Sequence, residues 1–115
     1  KIQNLLDRGI IEIIPLAYMR GRTINRSAMI LDEAQNASSI QMKMFLTRLG
    51  IESRAIITGD ASQIDLPTKS NSGLIDVLKI LKNINDIGIV ELSEHDIARH
   101  HLVKHIISAY SKSSK

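Results

Sequence analysis

The chain has 115 residues, enough for one domain with a modest core that buries roughly 65% of the surface an unfolded chain of this size exposes. Its 43% hydrophobic content excludes a disordered chain, and no apolar run approaches the ~18 residues needed to span a bilayer. A net charge of +3 without basic blocks, and Tyr18, Phe45 and Tyr110 as the only aromatics, give no foundation for a single-strand stacking platform. The absence of cysteine excludes disulfides and thiolate metal sites; with no secretory hydrophobic segment at its start, the chain reads as cytoplasmic and not membrane-bound. It opens on Lys1 rather than methionine, which points to a trimmed or partial product.

In chain order, Lys1 to Arg8 reads as the end of a helix stopped by Gly9. Ile10-Ile11-Glu12-Ile13-Ile14 is β-branched and predicts a strand ended by Pro15. Leu16 to Arg26, with Arg20, Arg22 and Arg26, predicts an exposed basic loop. Met29, Ile30 and Leu31 then run directly into Asp32 and Glu33, and such a short continuous apolar run predicts a strand buried on both faces of a parallel sheet. Ser38 with Gln41 predicts a capping box for a helix with a Met42, Phe45, Leu46, Leu49 stripe closed by Gly50. A second acid-tipped strand is predicted over Arg54 to Thr58, followed by a long loop from Gly59 to Asn71. Ser72-Gly73 opens a helix with a Leu74, Val77, Leu78, Leu81 stripe, and Ile87 to Leu92 predicts a further strand. Ser93 and Asp96 cap a last helix with a Val103, Ile106, Ile107, Tyr110 stripe, and residues 111–115 read as a frayed tail. Strands alternating with helices predict an α/β fold with a mainly parallel sheet.

Acids placed where buried parallel strands stop lie at the carboxyl edge of the sheet, where open α/β folds bind ligands. Asp32 and Glu33, as neighbours in extended backbone, point in opposite directions. One can hold a hydrated magnesium, which takes only one or two protein carboxylates, while the other faces a water. A bare apolar-Asp-Glu string fits equally well two acids leaving the core for solvent or capping the next helix; the following Ala34-Gln35 favours the functional reading. Gly59-Asp60-Ala61-Ser62-Gln63 brings negative charge and a hydrogen-bond donor to the tip of the next strand; alone it reads as an ordinary turn. Arg99 falls in line with the apolar stripe of the last helix, where it can snorkel, pair with an acid, or reach a phosphate as an arginine finger. Arg20 and Arg22 could clamp phosphate or RNA backbone, and a solvated basic loop explains them as well. His101 and His105 share a helix face, but two histidines without a third ligand make a poor metal site.

A nucleotide-hydrolysing P-loop domain needs Gly-x-x-x-x-Gly-Lys-Ser/Thr to cradle the phosphates, and none of the glycines at 9, 21, 50, 59, 73 and 88 begins or completes one. Several stretches nevertheless belong together. They are Pro15-Leu16-Ala17-Tyr18-Met19-Arg20-Gly21-Arg22-Thr23, Ile30-Leu31-Asp32-Glu33-Ala34-Gln35-Asn36, Gln41 to Arg48, Thr58-Gly59-Asp60 with Gln63-Ile64-Asp65-Leu66-Pro67, and Asp96 with Arg99-His100. Across residues 10 to 110 they closely resemble the C-terminal half of PhoH-like proteins, phosphate-starvation-inducible ATPases related to superfamily 1 helicases. The resemblance implies a partial P-loop NTPase (RecA-like) three-layer fold, in which Asp32 and Glu33 match the Walker B motif and Gly59-Asp60 to Gln63 match the motif that senses the γ-phosphate. It also implies that the Walker A strand and loop lie upstream of Lys1, leaving an unpaired sheet edge and a chain of marginal stability that does not turn over ATP by itself.

These readings converge on expectations for the complete protein. It binds ATP and magnesium and hydrolyses the nucleotide, with Asp32 as metal ligand, Glu33 activating water, Asp60 and Gln63 at the nucleotide, and Arg99 stabilising charge, across a homo-oligomer interface or within one subunit. An RNA link follows from the helicase kinship and not from composition. The rival expectation is a non-catalytic remnant or interaction module that keeps only the Walker B half.

Overall fold

In the computed structural model, which describes residues 1–62, 72–93 and 96–113, the order of elements is α1 (Ile2–Asp7), β1 (Ala28–Leu31), α2 (Ser39–Leu46), β2 (Arg54–Ile57), α3 (Gly73–Ile80) and α4 (His101–Ser113). Short 3₁₀ turns occupy Leu16–Met19 and Ala34–Asn36. The two acid-tipped apolar runs become β1 and β2, which pair in parallel with Ala28 opposite Arg54 and Leu31 opposite Ile57. Parallel neighbours require a crossover, and the Ala34–Asn36 turn and α2 supply it.

The crossover helix starts where its cap lies. Ser38 Oγ accepts from Gln41 N at 3.2 Å and Gln41 Oε1 accepts from Ser38 N at 2.9 Å. This reciprocal box is worth about 1 kcal/mol and fixes the first turn. Met42 and Phe45 then drop into the core, each 2% exposed. Phe45 packs with Met19 and Met29, and Met42 packs with Ala34 and Leu74, so α2 lies between β1 and α3. Leu31, Leu46 and Ile57 touch both groups and join them into one core. The fourth stripe residue, Leu49, falls beyond the helix and forms a parallel bridge with Ile24. The start of α3 is fastened to the same region: Gly73 N donates to Ala37 O at 2.8 Å, and Ser39 Oγ hydrogen-bonds the Asp76 carboxylate.

Among the described residues, one face of the sheet is covered. Met29, Leu31, Ala55 and Ile57 face the helices, whereas Ile30 and Ile56, paired across the ladder, are 67% and 49% exposed. Period-two alternation accounts for this split. It differs from the doubly buried strands that the apolar runs predict.

Two further strands predicted by sequence do not form. Ile10 N and Ile11 N fold back onto Leu5 O at 3.0 and 3.2 Å, and Ile13 is exposed. Residues 87–92 run without any ladder, with Val90 and Leu92 exposed. β-branched composition favours a pleated, half-buried surface, but it yields a strand only where a neighbouring edge supplies hydrogen bonds. The last helix also starts later than expected. Ser93 N does donate to Asp96 Oδ2 at 2.6 Å, yet α4 begins at His101 and buries none of its residues. Of the expected tail, Ser111–Ser113 continue α4, while 114–115 lie outside the described residues.

The radius of gyration is 17.3 Å, against ~13 Å for a compact chain of this length. The accessible surface of 9572 Å² is likewise about half as much again as the ~6,300 Å² of a compact 12.8 kDa domain. A two-stranded sheet covered on one face leaves that excess.

The seat of α3 can be tested at Gly73. A Cβ there would stand 2.5 Å from Ser38 O and 2.6 Å from Met42 Cβ, backbone and core atoms that cannot swing aside. Gly73→Ala should therefore destabilise the intact protein by about 1–3 kcal/mol, outweighing the ~1 kcal/mol helix-propensity gain of alanine. Gly88→Ala, where nothing lies within 4 Å of the added carbon, should stay within about 0.5 kcal/mol. Urea midpoints of the two variants measure the difference.

Candidate functional site

The hydrogen-bond ladder continues past the strand ends and builds the site. Thr58 N donates to Leu31 O at 3.0 Å and Ala34 N donates to Thr58 O at 2.9 Å. Asp32 and Thr58 are thereby held side by side at the carboxyl edge of the sheet. Thr58 Oγ1 donates to Asp32 Oδ1 at 2.8 Å, and Glu33 N donates to the same oxygen at 3.0 Å. Both donors use one oxygen of an exposed carboxylate, which leaves Oδ2 directed to solvent or a ligand.

Glu33 sits in the left-handed region, φ 54° and ψ 41°. For a residue with a Cβ this costs about 1–2 kcal/mol, and it turns the chain so that Ala34 N meets Thr58 O. The turn also ends the alternation expected of two acids in extended backbone. Glu33 Oε2 accepts from Gln35 Nε2 at 2.7 Å. The other end of that carboxamide, Gln35 Oε1, accepts from Asp60 N at 3.0 Å. Gln35 is 2% exposed, so it joins the two strand tips from beneath.

Gly59 makes this approach possible: a Cβ on it would lie 2.9 Å from Gln35 Oε1 and 3.0 Å from Leu74 Cδ2. Asp60 folds its carboxylate onto its own loop, Oδ1 accepting from Ser62 N at 2.9 Å and from Ser62 Oγ at 2.6 Å. Where the chain returns, Ser72 is fully buried, and its Oγ approaches Gln35 O at 3.4 Å.

Of the residues expected to act, Asp32, Glu33 and Asp60 are therefore brought to one edge. Gln63 lies outside the described residues. Arg99 is exposed in the segment before α4, and no hydrogen bond or ion pair among the described residues ties it to the strand tips. Arg22 is engaged elsewhere: its Nη1 and Nη2 donate to the Glu12 carboxylate at 3.0 and 3.1 Å. That hydrogen bonding, with the attraction between the charges, lowers the Glu12 pKa. Arg20 is exposed. His100 and His101 stack with centroids 4.5 Å apart, and His101 meets His105 edge-on at 6.2 Å, which is ring packing.

Sequence reasoning gave no role to Thr58 or Gln35. The signal for Thr58 was its register opposite Asp32, visible once the strands are aligned. Gln35 stands in the Asp32-Glu33-Ala34-Gln35 string that favours a functional reading of the acid pair, but with no task of its own.

The donor set suits a hard, hydrated cation. No group of three or more His, Asp or Glu residues capable of holding a metal exists among the described residues. Asp32 instead offers a single braced carboxylate with one open oxygen. Magnesium fits such a site, because it retains waters and takes few protein ligands alongside phosphate oxygens.

Comparison with known proteins identifies relatives of this chain. A profile described as PhoH-like protein matches residues 1–111. A PhoH-like protein of Bacillus subtilis is 57% identical over 112 residues, covering 97% of this chain and 35% of the relative. One from Mycobacterium tuberculosis is 53% identical over 111 residues, covering 96% of this chain and 32% of the relative. Protein PhoH of Escherichia coli K12 is 48% identical over 103 residues, 90% of this chain and 29% of the relative. The chain thus spans about a third of the length of the curated relatives it matches.

The tightness at the second tip predicts an order of stabilities. Gln35 Oε1 ends a long side chain, but two hydrogen bonds pin its carboxamide, and Gln35 N is only 3.2 Å from the position of an added Cβ on Gly59. Gly59→Ala should cost about 1–2 kcal/mol. Thr58→Val, which removes a donor from a carboxylate still open to water, should cost about 1 kcal/mol or less. Denaturant titration of both variants in the intact protein gives the order; equal midpoints would contradict it.

Proposed function

The chain belongs to the PhoH-like protein family, and we propose that the intact protein containing it binds ATP with magnesium and hydrolyses the nucleotide. In this reading the chain is the C-terminal portion of a single P-loop ATPase domain. The observation that carries it is the meeting of Asp32 and Glu33 with the Gly59-Asp60 tip at one sheet edge, held by Thr58 and Gln35.

Each residue has a task that its surroundings suit. Asp32 holds magnesium through the oxygen that Thr58 and Glu33 N leave open. The ion, when bound, neutralises charge on the phosphate oxygens. Glu33 has one oxygen fixed by Gln35 and the other available to take a proton from an attacking water. Gln63 donates to the terminal phosphate, and Asp60 shapes the turn that carries it. Arg99, with its guanidinium uncommitted to any described acid, supplies positive charge to the phosphates from its own subunit or from a neighbour in a homo-oligomer. RNA as a further partner rests on helicase kinship alone. No described helix is long and apolar enough to cross a membrane. The lack of cysteine accords with a cytoplasmic protein.

No Gly-x-x-x-x-Gly-Lys-Ser/Thr occurs among these 115 residues, so the ATPase reading requires a phosphate cradle that they do not supply. The same observation favours a second reading, an interaction module that retains the acid-tipped strands without turnover. One variant separates the two. Glu33→Gln in the intact protein keeps a side chain able to accept from Gln35, so fluorescent-ATP binding should stay within about threefold. Its kcat should fall about 10²–10⁴-fold with the loss of the base. Turnover retained in Glu33→Gln removes Glu33 from this task, and an intact wild type that never hydrolyses ATP selects the interaction module.

A further inference from the structure

The buried carboxamide of Gln35 is the feature that the acids themselves do not explain. It has two hydrogen bonds of opposite sense: Nε2 donates to Glu33 Oε2 at 2.7 Å and Oε1 accepts from Asp60 N at 3.0 Å. Rotating the amide by half a turn would set donor against donor at Asp60 and acceptor against carboxylate at Glu33, so the two partners fix one orientation. At 2% exposure, water cannot take over either bond. The group is planar, so a displacement of the Asp60 amide tilts Oε1 and moves Nε2 with it. Its backbone is anchored as well, Gln35 O receiving Ser72 Oγ at 3.4 Å, with Gly73 N on Ala37 O at 2.8 Å. One residue therefore touches the exit of β2, the re-entry of the chain at Ser72, and the carboxylate of Glu33. Gly59 keeps the space for it, since any Cβ there would strike Oε1 at 2.9 Å.

We propose that Gln35 is a positioning residue that couples the Glu33 carboxylate to the loop following β2, so that a change in the backbone at Asp60 alters where Glu33 is held. The coupling rests on the ATPase reading above for its consequence, but on the two hydrogen bonds for its existence. Glu33 has a strained backbone and an exposed side chain, and its Oε2 bond to Gln35 is what fixes the carboxylate. Without that bond it samples other rotamers, and the fraction of time spent in line with a water falls. Nucleotide affinity, set by Asp32 and by residues outside this tip, changes little.

Two near-isosteric variants of the intact protein divide the strut. Gln35→Met removes both bonds, whereas Gln35→Glu keeps an acceptor for Asp60 N and sets a carboxyl against Glu33 that either repels it or shares a proton with it, in both cases removing Glu33 as a free, positioned base. Both should lower kcat about 10- to 100-fold with KM for ATP within about threefold. A structural lesion would act regardless of Glu33, so each is repeated in a Glu33→Gln background, where Gln35→Met should cost no more than about twofold further. Proportional losses in both backgrounds, or an unchanged kcat, overturn the coupling while leaving the ATPase reading intact. Amide hydrogen exchange supplies the readout independent of turnover: the Asp60 amide should exchange at least about tenfold faster in Gln35→Met than in wild type, and stay protected in Gln35→Glu. A wild type without turnover defeats the ATPase reading, and the exchange result then decides the strut alone. Should Gln35→Met fail to fold, Gln35→Glu carries the kinetic comparison. An Asp60 amide that exchanges as fast in wild type as in a flexible loop overturns it.

Discussion

Everything at the sheet edge depends on the parallel register of β1 and β2. Leu31 opposite Ile57 determines that the residues leaving each strand are Asp32 and Thr58, and the two hydrogen bonds beyond the strands hold that register through the turn. A slip of one residue would reverse which side chains face the helices, exposing Met29 and Leu31 and burying Ile30. It would also separate Thr58 Oγ1 from Asp32. The apolar core and the polar edge are thus alternative readouts of one ladder, and selection for either maintains both.

Polar interactions at the edge are arranged so that stability is not their main product. Glu33 is kept in a left-handed conformation that costs about 1–2 kcal/mol. Gln35 is buried beside Ala34 and Gly59, where an apolar side chain would need no partners. A satisfied buried amide contributes little net stability but is costly to leave half-paired, so it enforces one geometry more than it strengthens the fold. Strain at Glu33 and a buried amide two residues later are what a preorganised site looks like.

Local chemistry carried much of this in the sequence. The Ser38–Gln41 box, the Gly9 stop, the Met42 and Phe45 anchors, and the acids at the ends of two apolar runs all depend on neighbours within a few positions, and each is where the residues predict. The predicted strands at Ile10–Ile14 and Ile87–Leu92 depend instead on a second edge, and β-branched residues cannot provide one for themselves. Residues 101–113 form a helix with an apolar stripe, but no covered face receives it. Gln35 was illegible for a related reason. Its importance comes from Asp60 and Ser72, 25 and 37 positions away, and a glutamine in a string of letters does not announce its burial.

Where the surface excess lies bears on how far the site can be understood from this chain. Ile30 and Ile56 occupy the exposed sheet face, residues 87–92 pair with no strand, and α4 buries none of its residues. None of these supplies a bond at the strand tips. Asp32, Glu33, Gln35, Thr58 and Asp60 are held by the ladder between β1 and β2 and by α2 and α3 on the covered face, where Phe45, Met42 and Leu74 are buried. Among the described residues, the hydrogen bonds that place the two tips fall within residues 28–62 and 72–80. Covering the bare face would add stability of about 25 cal/mol for each Å² of apolar surface removed from water. By the same alternation Asp32 and Thr58 follow Ile30 and Ile56 on the bare side, whereas the Gln35 bonds lie beside the buried Ala34, so a cover over the bare face would border the first pair and leave the strut untouched.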